Sequence, residues 1–225
     1  EDLDAVAQGV IGKMFWNQGQ VCVAGTRLIV HKSIKDSLVS QIVKGLEALR
    51  PGHPLEPETT FGPLVSAPQM SKVLGYIEQG SAQGAGLVCG GGRILADTGG
   101  YFVEPTIFDQ VLPDMTIAQE EIFGPVLSVM TFDDVKEAMR LANATKYGLS
   151  ASVWTTDISR MQEAMRSLRV GELAINACPQ PSAGAAFGSL PLEGHKQSGF
   201  GVESGAQGLL SYTCLTSVQI HGRRL

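Results

Sequence analysis

Long apolar runs, clustered basic residues and paired cysteines are missing from this sequence, and each absence excludes a class of protein. No apolar stretch approaches the ~20 residues that a membrane-spanning helix requires, so we expect no membrane segment. The formal net charge is −5, and the basic residues form no long run. Neither a nucleic-acid partner nor an anionic membrane surface is therefore expected.

Cysteine and histidine are also few, and their spacing excludes the common metal and disulfide frameworks. The four cysteines are scattered and form no Cys-x-x-Cys pair: Cys22, Cys89, Cys178 and Cys214. The four histidines show no metal-ligand spacing such as His-Glu-x-x-His. We therefore expect no metal site and no disulfide framework. Without a visible signal peptide, the expected location is the reducing cytoplasm.

The sequence does contain a regular alternation of helical and strand patterns. Amphipathic helices are predicted over 3–15, 34–46, 67–83, 134–143 and 158–169, with Ser33, Asp133 and Asp157 as N-caps and Gly148 ending the fourth helix. Apolar strands are predicted over 28–30, 87–89, 126–132, 150–154 and 172–176. This order predicts an α/β fold with a mainly parallel open sheet, helices on both faces and right-handed crossovers.

Two later segments depart from this alternation. Residues 177–205 are dense in glycine, proline and serine, and so long an irregular stretch in a compact domain is usually functional. Residues 209–220 have the composition of a strand, with Tyr, Thr, Leu, Val and Ile. We therefore divide the chain into a catalytic α/β domain over 1–205 and a C-terminal segment over 206–225.

Cys22 is the residue that most strongly indicates chemistry. It follows the first predicted helix, in a turn that Gly19 and Gly25 bracket, and it precedes a short apolar strand. A thiolate that attacks a carbonyl carbon needs a partly open, electropositive or hydrogen-bonding site of this kind. Most cysteines are small buried core residues, so the local pattern by itself leaves both interpretations open.

Glu120 and Glu121 form a second candidate, because they lead into a Gly-Pro turn before a buried strand. Paired carboxylates are most often a solvated face, but a carboxylate can also accept two hydrogen bonds from a ribose diol. Phe123 would then offer an apolar face to a planar ring. The triplet 90–92 (Gly-Gly-Gly) is interpreted as a surface turn, because no helical pattern follows it to form a phosphate site.

Five segments, taken in order, resemble motifs of the aldehyde dehydrogenase superfamily, and the resemblance extends over essentially the whole chain. They are 17–25 (Asn-Gln-Gly-Gln-Val-Cys-Val-Ala-Gly), 102–106 (Phe-Val-Glu-Pro-Thr), 120–126 (Glu-Glu-Ile-Phe-Gly-Pro-Val), 142–143 with 147–149, and 196–201 (Lys-Gln-Ser-Gly-Phe-Gly). The resemblance implies oxidation of an aldehyde to a carboxylic acid with NAD or NADP, through a cysteine thiohemiacetal and thioester.

The resemblance also implies a role for each candidate residue. Cys22 matches the nucleophile, whose own backbone N–H contributes to the oxyanion hole. Glu121 matches the residue that holds the nicotinamide ribose, and Phe123 matches the one packed near the nicotinamide. Val21 and Val23 resemble residues that line the substrate tunnel.

Only the C-terminal half of the family's usual polypeptide is covered. The dinucleotide-binding domain, the asparagine that gives the second oxyanion donor and the glutamate general base would all precede residue 1, which is Glu rather than Met. We therefore expect no cofactor bound to this chain alone, and we expect the missing N-terminal domain as its partner. The resemblance also implies a homo-oligomer formed through a C-terminal strand.

The irregular segment adds one expectation and one departure from the family. Residues 177–192 correspond to the loop that anchors the aldehyde tail. Glu193 stands where the family commonly has glycine, which removes a permissive backbone position and adds a charge. Valines beside the thiol, and no arginine between Cys178 and His195, favour a small or apolar aldehyde.

Two functions of other classes stay open. The chain could be a catalytically silent folding and assembly unit. It could also be a cysteine-dependent esterase or hydrolase that acts without cofactor, with His195 as the best-placed partner of Cys22. The Cys-Gly-Ser-Cys-Trp context of papain-like enzymes is absent.

Overall fold

A computed structural model describes residues 2–177 and 188–222. Cys178 and most of the predicted anchor loop lie outside the described residues. The helices are α1 (Leu3–Phe15), α2 (Lys35–Leu46), α3 (Ala67–Ala82), α4 (Thr116–Gln119), α5 (Val135–Asn143), α6 (Ile158–Ser167) and α7 (Gly205–Leu210). The strands are β1 (Arg27–His31), β2 (Gly86–Cys89), β3 (Arg93–Ile94), β4 (Phe102–Val103), β5 (Thr106–Asp109), β6 (Val126–Phe132), β7 (Tyr147–Gly148), β8 (Ser150–Val153), β9 (Glu172–Ile175), β10 (Leu192–Glu193), β11 (His195–Lys196) and β12 (Val202–Glu203).

The main sheet has the strand order β1-β6-β5-β2. Strands β1 and β5 both run parallel to β6, while β2 pairs with β5 in the antiparallel sense. Strands β8 and β9 form a second parallel pair. The predicted α/β fold with a parallel-dominated sheet is confirmed. Strand β5, which directly follows Pro105, was not predicted.

The core lies on both faces of the main sheet. Alternate residues of β6 point to opposite faces, so Leu127 and Val129 pack with α1 and α2, whereas Val126 and Met130 pack with α3. All four side chains are at most 3% exposed, and full burial of each contributes about 1.5–3 kcal/mol. The predicted placement of helices on both faces is therefore confirmed.

Two of the predicted helix caps are wrong by one residue or more. Helix α2 begins at Lys35, and the hydroxyl of Ser33 is bound instead to Nδ1 of His31 at 2.7 Å. Helix α5 is capped by Asp134, whose Oδ1 accepts from the N–H of Glu137 at 2.9 Å, while the neighbouring Asp133 pairs with Lys32. The third predicted cap, Asp157, is confirmed.

The residues that follow α5 also differ from the prediction. Gly148 does not end α5, which stops at Asn143, but belongs to β7.

The predicted surface turn at 90–92 is confirmed between β2 and β3. Its N–H groups at Gly91 and Gly92 are already bound by the side chains of Thr106 and Glu104, each at 3.0 Å, which leaves them unavailable to a phosphate.

The C-terminal strand, which was expected to pair with a neighbouring subunit, is not formed within the described single chain and stays a prediction. Leu209 and Leu210 belong to α7, and residues 213–222 are exposed without regular structure. A strand needs a partner for its backbone groups, and the described residues offer none here. The boundary predicted between 205 and 206 falls at the start of α7 and stays a prediction. Among the described residues, no helix is long and apolar enough to span a bilayer.

Candidate active site

The segment that leads into Cys22 contains three consecutive residues in the left-handed region. Asn17, Gln18 and Gly19 have φ values of 49°, 57° and 70°, which non-glycine residues adopt only when their surroundings enforce it. A Cβ atom on Gly19 would overlap the carbonyl oxygen of Gly124 and lie 2.7 Å from its carbonyl carbon. Only glycine therefore lets the Cys22 turn pack directly against the turn that precedes β6.

Strand pairing brings these two turns together. Strands β1 and β6 are parallel, with Arg27 opposite Ser128. Cys22 and Phe123 each precede a member of that pair by five residues. The candidate site therefore lies at the amino ends of the parallel strands, whereas ligands of open α/β sheets usually bind at the carboxyl ends.

Cys22 is exposed, and its thiol differs in setting from that of Cys89. Cys89 is half-buried, and burial raises the pKa of its thiol, which keeps it protonated and unreactive. No hydrogen bond from the backbone N–H of Cys22 occurs within residues 2–177 and 188–222. An N–H group left free beside a thiol can donate to an oxyanion as it forms on the carbon that the thiol attacks.

The two neighbouring carboxylates have different partners. Lys146 Nζ donates to both carboxylate oxygens of Glu120 at 3.0 Å, and this bond is the main reason why the pKa of Lys146 is raised. Glu121 is exposed, and no ion pair or hydrogen bond holds its side chain among the described residues. Glu121 is therefore the carboxylate that remains available to a ligand.

Phe123 is held in a backbone conformation that is rare for an aromatic residue, with φ of 56°. The side-chain amide of Gln69 fixes it by donating to the carbonyls of Ile122 and Phe123 at 3.0 and 2.8 Å. The next residue, Gly124, packs so closely on Val73 that a Cβ atom there would overlap its side chain. The turn before β6 is thus clamped onto α3.

All five residues singled out in the sequence line one cavity of about 770 Å³: Val21, Cys22, Val23, Glu121 and Phe123. Val21, Val23 and Phe123 are each partly buried there. His195 is on β11, paired with Gly148, and is not among the described residues that line this cavity. No contact between Cys22 and His195 of the kind that a hydrolase needs occurs among the described residues.

Two of the remaining motif residues, Lys196 and Ser198, fasten the scaffold through hydrogen bonds to the backbone. Lys196 Nζ donates to the carbonyls of Asn143 and Thr145 at 3.0 and 3.2 Å, at the C-terminal end of α5. Burial, and then the charge of Arg27, lowers the pKa of Lys196. Ser198 Oγ accepts from the N–H of Gly148 at 2.9 Å. A cation at a helix C-terminus satisfies carbonyls that lack intrahelical partners.

Arg27 acts on the same helix end. Its guanidinium donates to the carbonyls of Leu141 and Ala142 at 3.0 and 2.8 Å, and burial lowers its pKa. Glu193 lies in β10 opposite Val202 and is not among the residues with positive φ. Glu193 therefore has an ordinary strand conformation, which a residue with a Cβ atom adopts without strain.

The cavity continues into a groove between β1 and β8, each of which pairs on one side only among the described strands. Thr26 and Lys32 bond to β6, so the intervening Ile29 presents its backbone groups to the groove. Likewise Leu149 and Val153 bond to β9, so the backbone of Ser152 faces the groove. The Oγ atom of Ser152 is buried and has no hydrogen-bond partner among residues 2–177 and 188–222. Among the described strands, the unpaired backbone N–H and C=O groups of β1 and of β8 therefore face each other across the groove.

Known proteins resemble this chain in sequence and in fold. The model of the aldehyde dehydrogenase family matches residues 1–218. The chain is similar to the aldehyde dehydrogenase KauB from Pseudomonas aeruginosa, with 47% identity and a TM-score of 0.89 over 96% of this chain and 42% of that one. It is also similar to an NAD-dependent aldehyde dehydrogenase from Sinorhizobium meliloti, with 40% identity and a TM-score of 0.92 over 100% of this chain and 44% of that one.

A third solved structure is a variant of an indole-3-acetaldehyde dehydrogenase of P. syringae in complex with NAD+. It is 46% identical, with a TM-score of 0.91 over 97% of this chain and 43% of that one. The chain spans less than half the length of each of these structures. The family match over nearly every residue is nevertheless direct. This chain belongs to the aldehyde dehydrogenase family.

Proposed function

We propose that this chain carries the nucleophile half of the active site of an NAD(P)-dependent enzyme that oxidises an aldehyde to a carboxylic acid. The observation that supports this most directly is the shared cavity of Cys22, Glu121 and Phe123, whose two turns meet through Gly19 and Gly124. These residues come from segments about 100 positions apart, yet they meet at the ends of one strand pair.

In the proposed reaction the Cys22 thiolate adds to the aldehyde carbon, and the carbonyl electron pair moves onto oxygen. The backbone N–H of Cys22 donates to this alkoxide, where charge develops. Loss of hydride from the carbon leaves a thioester on Sγ. Water then cleaves the thioester, which releases the acid and returns the thiol.

The described residues suit one end of a nicotinamide cofactor. Glu121 can accept hydrogen bonds from the ribose hydroxyls, and Phe123 gives an apolar surface beside the nicotinamide ring. When bound, the nicotinamide accepts the hydride. The turn at 90–92 is internally bonded and does not suit the phosphates. We therefore propose that this chain alone holds no cofactor, and the choice between NAD and NADP lies with other residues of the enzyme.

The substrate that we propose is a small or apolar aldehyde. Val21 and Val23 flank the thiol and both line the cavity. An apolar aldehyde would bury its chain against these side chains, whereas a charged group beside them would lose part of its hydration, which is costly.

Cys22 can be tested directly in the full-length parent enzyme. Cys22→Ala is expected to abolish aldehyde-dependent reduction of NAD or NADP, followed by the absorbance of the reduced nicotinamide. Cys214→Ala is the matched control, because Cys214 is also exposed but lies in the C-terminal segment. Comparable reduction by the Cys22→Ala enzyme would show that the assignment is wrong.

A second proposal is that the isolated chain is acylated on Cys22 by activated esters without cofactor. The exposed thiol and its free backbone N–H support this, since acyl capture needs only those two groups. Mass spectrometry after treatment with p-nitrophenyl acetate would show an adduct on the peptide that contains Cys22. If no adduct forms on that peptide, the catalytically silent assembly unit becomes the better description.

We also propose that polypeptide outside residues 1–225, the family's N-terminal cofactor-binding domain, completes this unit. Support comes from the groove between β1 and β8, where an added strand could pair on both sides. Hydrogen exchange tests this: in the isolated chain the amide of Ile29 should exchange quickly and that of Leu28 slowly. In the full-length parent both should be protected, and an unchanged Ile29 would contradict the proposal.

The C-terminal segment, 206–225, is proposed to join copies of the enzyme into a homo-oligomer in the cytoplasm. Its apolar side chains are strongly exposed in the single chain: Tyr212, Leu215, Val218 and Ile220. Sedimentation of the full-length parent, compared with a form ending at residue 210, would test this. An unchanged mass would count against it.

A further inference from the structure

Two glutamines connect the Cys22 turn to another part of the fold. Gln20 Oε1 accepts a hydrogen bond from the N–H of Val65 at 2.9 Å. The side-chain oxygen of Gln18 accepts from the N–H of Gly62 at 2.9 Å, in the amide orientation that satisfies both of its polar groups. Neither glutamine is among the described residues that line the cavity. Both therefore act on the turn from behind it.

The segment that receives these bonds, 61–65, is firmly anchored. Phe61 is 1% exposed and packs into the core that α1 and α2 cover, while Leu64 is 3% exposed and packs into the opposite core. The N–H of Leu64 also donates to the carbonyl of Tyr101 at 2.9 Å. Segment 61–65 is thus fixed to both faces of the sheet, and the glutamines transmit that rigidity to the turn.

The turn needs this support because its own backbone is strained. Residues 17–19 are all left-handed, and such conformations persist only where neighbouring contacts impose them. Within the turn, the carbonyl of Asn17 accepts from the N–H of Gln20 at 3.0 Å, and the side-chain amide of Asn17 donates to the carbonyl of Gln20 at 3.1 Å. Gln20 therefore both closes the turn, through Asn17, and attaches it to segment 61–65, through Val65.

We propose that Gln20 is a positioning residue for acyl transfer at Cys22. It acts by accepting the hydrogen bond from the N–H of Val65, which fixes the turn. This rests on the proposed role of Cys22 as nucleophile. Attack on a carbonyl needs the Sγ atom and the backbone N–H of Cys22 in fixed relation, because the N–H must meet the oxyanion. Alkylation by iodoacetamide needs the Sγ atom alone. A loosened turn therefore slows the first reaction and spares the second.

The experiment compares these two reactions in the same 225-residue chain. In Gln20→Ala, acylation of Cys22 by p-nitrophenyl acetate is expected to slow about 10- to 100-fold, since small misplacements of reacting groups cost rates of that order. Alkylation of Cys22 by iodoacetamide should change by less than about twofold. Both are measured by peptide mass spectrometry, with exposed Cys214 as the internal reference.

Three further variants separate positioning from general destabilisation. Gln20→Glu keeps an oxygen that can accept from Val65, so its acylation rate should return to within about threefold of the parent chain. Gln20→Asn is too short to reach Val65 and should behave like Gln20→Ala. Gln83→Ala is the matched control, because Gln83 also accepts from a backbone N–H, that of Thr116 at 2.8 Å, on a different part of the fold.

The outcomes are distinct. Acylation at the parental rate in both Gln20→Ala and Gln20→Asn overturns the proposal, and so does an equal loss of acylation and alkylation. Equal slowing by Gln83→Ala overturns it as well, because the effect would then be one of stability. If the parent chain itself is alkylated but never acylated at Cys22, the proposed function fails together with this inference.

Discussion

Replacing Gly19 with alanine tests whether the close contact between the two turns holds the candidate site together. Gly19 is buried, with φ of 70°, and a Cβ atom there would overlap the Gly124 carbonyl and lie 2.9 Å from Cε of Met14. The carbonyl belongs to a clamped backbone and cannot move as freely as a side-chain end. The substitution therefore perturbs conformation and packing at once.

The expected cost follows from these two effects. The left-handed conformation costs a residue with a Cβ about 1–2 kcal/mol, and forcing an extra methyl into a filled space costs about 1–3 kcal/mol. Gly19→Ala should therefore lower the free energy of unfolding by about 2–5 kcal/mol. For a chain of this size each kcal/mol corresponds to about 2–4 °C in the melting temperature.

Urea denaturation followed by circular dichroism measures the loss. The matched control is Gly75→Ala on α3, where a new Cβ meets nothing within 4 Å. Because alanine favours a helix more than glycine does, this control should gain up to about 1 kcal/mol. A Gly19→Ala chain within about 0.5 kcal/mol of the parent, the usual range for surface substitutions, would refute the reasoning.

Three other predictions concern charged side chains. In the full-length parent, Glu121→Gln is expected to raise the KM for the nicotinamide cofactor about tenfold, since hydrogen bonds to a charged group contribute about 1.5–3 kcal/mol. Glu120→Gln should leave that KM unchanged, and equal effects in steady-state assays would contradict the assignment. Asp134→Ala should lower the free energy of unfolding by about 1 kcal/mol, because it removes the N-cap of α5. Asp133→Ala, which removes only an exposed ion pair, should cost less than half as much. The pKa of Lys35 is raised above 10.5 by two neighbouring carboxylates, so their stabilisation is complete below pH 10.5 and is lost as pH rises through the raised pKa. Lys35→Met should remove that alkaline loss in urea titrations, and an unchanged pH profile would disprove the linkage.

Much of the secondary structure could be predicted because it depends on local periodicity. Helices α1 and α3 match their predicted spans to within a residue, since apolar spacing and capping residues act over one or two turns. Strand β5 escaped prediction although it lies at the centre of the sheet between β6 and β2. Its place is decided by strands distant in sequence, which a four-residue segment does not reveal.

The predicted helix caps and the C-terminal segment both show that residue type alone does not decide local structure. Ser33 and Asp133 are good N-cap residues by type, but each is used by a nearby group, His31 or Lys32. The segment 209–220 has strand composition, yet composition supplies no partner for its backbone. In both cases the residue type was informative, and the available partner determined the outcome.

The sequence by itself singled out the candidate residues through the family resemblance: the thiol of Cys22 in its glycine-bracketed turn, the carboxylate pair at 120–121, and Phe123. The tertiary structure decided how these groups combine. Pairing of β1 with β6 brings together the two turns that precede these strands. Lys146 forms an ion pair with Glu120, whereas Glu121 is left exposed to the cavity. The physical reason is that periodicity and turn chemistry act between neighbours in sequence. Contacts between residues about 100 positions apart exist only once the sheet has formed.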